Sequence, residues 1–189
     1  MEKISILDLK NIDLKAKIIC FPTDTVYGVG CKIDDLEAIK KIYEMKNRDF
    51  SKPLAVLCAN QNINDYIIDV TNDAKKLMKE HWPGALTIIF KKSNKVNDLV
   101  SAGLDTVGFR MPNSKIALSV LNEFGVMATT SVNISGEKAL NDALEIEKAF
   151  GDFIDYMIIE KETLSYTSST VVDASCNELK ILRQGDIKL

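Results

Sequence analysis

Six groups of hydroxyl, amide and cationic residues stand at the ends of apolar runs. They are Thr23 to Tyr27; Lys46, Arg48, Ser51 and Lys52; Arg110 with Pro112; Thr130 to Gly136; Ser168, Ser169 and Thr170; and Arg183-Gln184-Gly185. Each alone is ordinary, because Ser, Thr, Asn and Gly are the residues that loops and caps use. Together they offer many hydroxyl and amide donors and at least three arginines, a set suited to a polyanion that carries a sugar and a base. Other chemistries are poorly supplied. There is no GxxxxGK[ST] loop, no GxGxxG after a strand and no kinase signature set. The single histidine, His81 in EHWPGALT, sits at a helix end beside Trp82, where a structural role is expected; a Ser-His-Asp or Cys-His hydrolase would have to use it. Cys20, Cys31, Cys58 and Cys176 form no CxxC pair and, with one histidine, make no zinc site.

Strands and helices must bring these groups together. The run Ile18-Ile19-Cys20-Phe21 reads as a buried strand that empties into Thr23–Tyr27, and strand ends in α/β proteins are where ligands sit. Leu36, Ile39, Ile42 and Tyr43 recur at helical spacing after a capping Asp34 or Asp35, and Lys46 continues that buried stripe. A lysine there either points into a cleft or snorkels to water. Pro53 ends this region and LAVLC reads as a strand. NDAKKLMKEHW is a helix ended by Pro83-Gly84, and ALTIIF and TVGFR are strands around a polar, turn-rich segment from Lys91 to Leu104. SKIALSVLNEF is a helix capped by Ser114 and stopped by Gly125. VMATT, IDYMIIE, TVVDA and LKILR read as further strands, with a helix from Asp142 to Phe150 among them. The alternation predicts a mixed, mainly α/β sheet with helices packed on it.

The 189 residues, 46% hydrophobic and 27% charged, are enough for one substantial core, so residues 1–189 are expected to form a single domain. With 24 Lys and Arg against 27 Asp and Glu, the net charge of −3 gives no long-range attraction to nucleic acid, and an anion site must be a local cluster. The N-terminal MEKISILDLKNIDLKAK interleaves charges with apolar residues, unlike a signal peptide, and no run is long enough to span a bilayer. A cytoplasmic protein without a membrane partner is the expectation, and reduced cysteines fit it.

Seven segments, FPTDTVYGVG, KNRDFSKPL, WPGALTIIF, TVGFRMP, TTSVNISG, SSTVVD and LRQG, occur in an order that resembles the YrdC/Sua5 family, from about Ile18 to Gly185. These are the threonylcarbamoyl-adenylate synthases that begin the threonylcarbamoyl modification of adenosine (t6A) at position 37 of tRNAs reading ANN codons. The resemblance implies a YrdC-like twisted mixed β-sheet flanked by helices around a large concave, positively charged cavity. It also implies a nucleotidyltransferase that makes threonylcarbamoyl-AMP and pyrophosphate from L-threonine, bicarbonate and ATP. By similarity, Thr25, Arg110, Thr130 and Ser169 contact threonine, and Arg48, Lys52, Thr106, Ser131, Val132, Asn133 and Arg183 contact ATP. Lys46 and Lys52 are the implied catalytic residues, stabilising the departing pyrophosphate with Mg²⁺ that arrives on ATP; no dedicated protein metal site is expected. Downstream t6A transferase proteins are the implied partners, and direct contact with tRNA is left open.

Three positions depart from the family pattern: Leu57, where some members have a histidine near the threonine; Ala85, where proline is common; and Val132, for the usual alanine. The sequence runs only four residues past LRQG, so the short form, without the additional C-terminal domain of longer Sua5-type proteins, is the expectation. Two other readings compete. One is a double-stranded RNA-binding module of the same fold, disfavoured by the charge and by the lack of an arginine-rich stripe or aromatic platform. The other is a relative with an altered carbamoyl-transfer substrate.

Overall fold

Alternation along the strands divides the molecule into two faces. In Ile18 to Phe21, Ile18 and Cys20 join one buried apolar cluster while Ile19 and Phe21 join another, as the two-residue period of a strand requires. The computed structural model describes residues 1–189. Its eleven strands are β1 (Glu2–Ile4), β2 (Ile19–Pro22), β3 (Tyr27–Lys32), β4 (Ala55–Leu57), β5 (Ile67–Ile68), β6 (Leu86–Lys92), β7 (Thr106–Arg110), β8 (Met127–Ser131), β9 (Tyr156–Ile158), β10 (Thr170–Asp173) and β11 (Lys180–Arg183). They form one mixed sheet in the order β1-β9-β2-β3-β8-β4-β7-β6-β10-β11, with β5 paired to β6. Parallel and antiparallel pairs are interspersed: β4 runs parallel to β7 but antiparallel to β8, and β6 runs antiparallel to β7 but parallel to β10.

The helices are α1 (Leu36–Met45), α2 (Asn72–His81), α3 (Asp98–Ser101), α4 (Lys115–Phe124) and α5 (Ala143–Phe150), with a 3-10 turn at Leu9–Asn11. Their starts follow from side-chain acceptors: Asp35, Thr71, Asn97, Ser114 and Asp142 each accept from an N–H of the first turn. The larger core, 35 buried residues, gathers α1, α2 and α5 on one sheet face, with Ile39, Ile42, Leu77, Ile146 and Phe150 among its members. On the opposite face α4 alone supplies Ile116, Ala117, Val120 and Leu121 to a 13-residue cluster over β2, β9 and the ends of β4 and β8. The centre of that second face is thus left uncovered, and the polar ends of the strands open onto it. No helix is long and apolar enough to cross a membrane.

Most predicted elements lie where the sequence puts them, and the main difference has a physical cause. Strand β3 was not predicted: in Tyr-Gly-Val-Gly-Cys, Val29 and Cys31 enter the larger core while Gly28 and Gly30 occupy the other face, so alternation is masked by an absent side chain. Glycine is required at position 30, where an added Cβ would lie 2.6 Å from Thr129 Cγ2 and 3.0 Å from the Ala128 carbonyl. The polar segment from Lys91 to Leu104 contains the end of β6 and the short helix α3, and the three-residue β1 precedes the first predicted strand.

Candidate active site

The uncovered face is a cavity of about 330 Å³, within the ~300–1,000 Å³ usual for small-ligand sites. Its floor follows the strand period. On β6, Thr87 and Ile89 face it while Ile88 and Phe90 enter the core; on β7, Thr106, Gly108 and Arg110 face it while Phe109 points away. Thr129 and Ser131 of β8, Leu57 of β4 and Ser169 beside β10 complete the floor. The only charged residues in the lining are Arg48, Arg110 and Arg183, set among nine Ser and Thr residues. A chain of net charge −3 has therefore concentrated its three arginines in this hydroxyl-lined hollow.

Arg110, at the end of β7, is the most constrained of the three. It is 7% exposed; its Nε donates to the Gly84 carbonyl at 3.1 Å, its Nη1 to Thr25 Oγ1 at 2.8 Å, and its Nη2 pairs with the Asp24 carboxylate. Burial pulls the guanidinium pKa down and Asp24 opposes the shift, so the ion pair is what keeps a charge this deep. Asp24 and Thr25 are delivered by the tight turn between β2 and β3. There the Thr23 hydroxyl donates to the Val26 carbonyl at 2.7 Å and lies 3.0 Å from the Thr25 hydroxyl. The segment between β9 and β10 braces the same turn, since Ser165 and Tyr166 donate their N–H groups to the Asp24 and Thr25 carbonyls at 3.0 and 2.9 Å. Glu162 in that segment accepts from the Ser114 hydroxyl at 2.8 Å.

Across the cavity, Arg183 from β11 donates to the Ser169 carbonyl through Nε and Nη2 at 3.0 and 2.8 Å, and to Ser169 Oγ at 3.1 Å. Ser169 Oγ in turn lies 2.8 Å from Thr87 Oγ1. Arg48 is tied by Nε and Nη2 to the carbonyls of Lys52 and Pro53 at 3.1 and 2.8 Å, which folds the segment after α1 into the third wall.

Of the residues the sequence singled out, Thr25, Arg48, Thr106, Arg110, Thr130, Ser131, Ser169 and Arg183 line this one cavity. Lys46, Lys52, Val132 and Asn133 do not. Lys46 neither points into the cleft nor reaches water: it is 1% exposed and lies behind the cavity wall, bonded to Ser131 and Asn133. Lys52 is exposed, and its carbonyl rather than its ammonium is engaged, accepting from Tyr43 and Arg48. Val132 is fully buried, its N–H donated to the Tyr27 carbonyl, and the Asn133 amide is spent on Lys46, Ser131, Ile134 and Glu137. His81 is absent from the lining, while Leu57 is part of it. Sequence reasoning missed Thr87, whose only signal was a lone hydroxyl in the apolar run ALTIIF, and the partnership of Asp24 with Arg110. No group of three or more His, Cys, Asp and Glu side chains is placed to hold a metal ion.

Fold and cavity together define an α/β protein with an arginine- and hydroxyl-lined cavity on the open face of a mixed sheet. The chain belongs to the Sua5/YciO/YrdC family, whose family model, described as "Telomere recombination", matches residues 13–185. It is 36% identical over 174 residues to the threonylcarbamoyl-AMP synthase of Bacillus subtilis, covering 90% of this chain and 50% of that one. It is 34% identical over 177 residues to the threonylcarbamoyl-AMP synthase of Pyrococcus abyssi, covering 93% and 52%. The crystal structure of P. abyssi Sua5 complexed with L-threonine matches with a TM-score of 0.90 at 32% identity, over 97% of this chain and 56% of that one. The chain thus spans about half the length of these relatives.

Proposed function

We propose that this protein is an L-threonylcarbamoyladenylate synthase, a nucleotidyltransferase that joins L-threonine, bicarbonate and ATP and serves t6A formation in tRNA. The observation that carries the reading is the lining: three arginines and no acid, among hydroxyls, in a chain similar to a Sua5 that has been crystallised with L-threonine. Arg110 is assigned to the amino acid carboxylate, for which its planar fork is the apt partner, with Thr25, Thr130 and Ser169 around the rest of the molecule. Arg48, Thr106, Ser131 and Arg183 are assigned to the nucleotide.

The threonine amine, once neutral, attacks the carbon of carbon dioxide and loses a proton, or attacks bicarbonate, whose C–OH bond breaks so that the hydroxyl leaves with the amine proton as water. Either route gives a carbamate that decomposes readily in water. A cavity that holds it against the α-phosphate provides proximity and excludes bulk water. A carbamate oxygen then forms a bond to the α-phosphorus, the bond to the bridging oxygen breaks in line, and pyrophosphate leaves with the electron pair. The growing charge falls where Arg48 and Arg183 can meet it. Mg²⁺ would arrive with ATP as its counter-ion and offset phosphate charge, since the lining offers it hydroxyls but no carboxylate. No protein nucleophile is needed. A cavity of about 330 Å³ lies in the range of small-ligand sites. The adenylate would pass to downstream t6A transferase proteins.

With ATP and Mg²⁺, the purified protein should release pyrophosphate only when both L-threonine and bicarbonate are supplied, with the adenylate visible by mass spectrometry. Equal release without threonine would overturn the assignment.

A further inference from the structure

Lys46 is a fully buried cation to which the reaction above gives no contact. It lies one residue beyond α1, is 1% exposed and has no carboxylate partner. Its ammonium has three N–H donors, and three neutral oxygens of a single loop receive them. These are the Ser131 carbonyl at 2.5 Å, the Asn133 carbonyl at 2.8 Å and Asn133 Oδ1 at 2.7 Å. No donor is left for a phosphate. The loop is wound about this point: the Ser131 hydroxyl donates to the same Oδ1 at 2.7 Å, Asn133 Nδ2 donates to the Ile134 and Glu137 carbonyls at 2.8 Å each, and Ser135 N–H returns to the Lys46 carbonyl at 2.9 Å. Its other side is cavity wall at Thr130 and Ser131, and the N–H groups of Asn133 and Ile134 have no acceptor in the protein.

We propose that Lys46 is a positioning residue, whose ammonium touches no substrate but clamps the Ser131–Asn133 loop in the shape in which that loop meets the nucleotide. The proposal rests on reading this cavity as a nucleotide site. Charge state matters to the clamp, because a neutral amine has only two N–H groups for three buried oxygens. Arg48, two residues on, is the charged group that faces Lys46, and the loop presents only neutral oxygens. Burial, followed by Arg48, pushes the ammonium pKa down to about 7.

The test compares AMP with a non-hydrolysable ATP analogue, titrated calorimetrically into wild-type protein and Lys46→Met. A positioning role weakens both nucleotides by the same factor, about tenfold or more, the effect of losing one hydrogen bond from the wall, while threonine affinity is unchanged. A loss confined to the triphosphate analogue means direct contact with the outer phosphates and overturns the proposal, as does unchanged binding of both nucleotides. In wild-type protein the two affinities should fall in parallel between about pH 7 and about pH 9, as the third N–H is lost. A flat profile overturns the proposal even if the variant does not fold. Wild-type protein that binds neither nucleotide refutes the nucleotide reading itself.

Discussion

Replacing Arg110 by lysine separates the work of its geometry from that of its charge. Arginine has five N–H donors, and Gly84, Thr25 and Asp24 take three of them, which leaves two for a substrate carboxylate. Lysine has three donors in all, so if it keeps Asp24 and one neutral partner a single donor remains. Losing one charge-assisted hydrogen bond of about 1.5–3 kcal/mol predicts a roughly 10- to 150-fold fall in threonine affinity. ATP affinity should stay within about threefold, because neither Asp24 nor Thr25 touches Arg48 or Arg183. The lysine variant is preferable to Arg110→Ala, which leaves Asp24 only 17% exposed and without its cation. Breaking such a pair costs about 3–5 kcal/mol when buried, so the alanine result would mix folding with binding. The assay is pyrophosphate release against threonine concentration at saturating ATP, then against ATP at saturating threonine. Threonine dependence within about threefold of wild type, or an equal loss for ATP, would refute the assignment of Arg110 to the carboxylate.

Two further predictions concern the sheet that carries the site. Gly30→Ala forces a Cβ against Thr129 Cγ2 and the Ala128 carbonyl at 2.6 and 3.0 Å, and a backbone oxygen cannot rotate away. The expected cost of about 1–3 kcal/mol lowers the melting temperature by roughly 2–10 °C, and an unchanged melt would show that β3 and β8 separate more easily than their pairing implies. A thiol reagent should label one cysteine quickly in native protein and four in denaturant, since Cys176 is exposed while Cys20, Cys31 and Cys58 are buried. Burial pushes Cys58 up to about 12 and Cys20 and Cys31 higher still; a second fast thiol would contradict this packing.

What the sequence made legible is what local chemistry decides. Asp34 or Asp35 and Ser114 announce helix starts because a cap is a bond within four residues, and Lys46 reads as continuing the stripe of Ile39, Ile42 and Tyr43 because helical spacing is local. What became of Lys46 could not be read, because its acceptors stand 85 and 87 positions away and depend on β8 ending beside α1. Resemblance pointed to loops that border the cavity, yet it did not distinguish a side chain that faces the cavity from one that supports the wall. Thr25 and Arg110 face it; Lys46 and Asn133, from equally strong motifs, support it. The same limit hid Thr87, whose hydroxyl gains meaning only from Ser169, 82 residues on, when β10 pairs with β6. Motifs therefore locate walls, while strand register decides which atoms of a wall a substrate can reach. In this chain that register assigns the exposed chemistry to hydroxyls and arginines, and places the one buried lysine behind them.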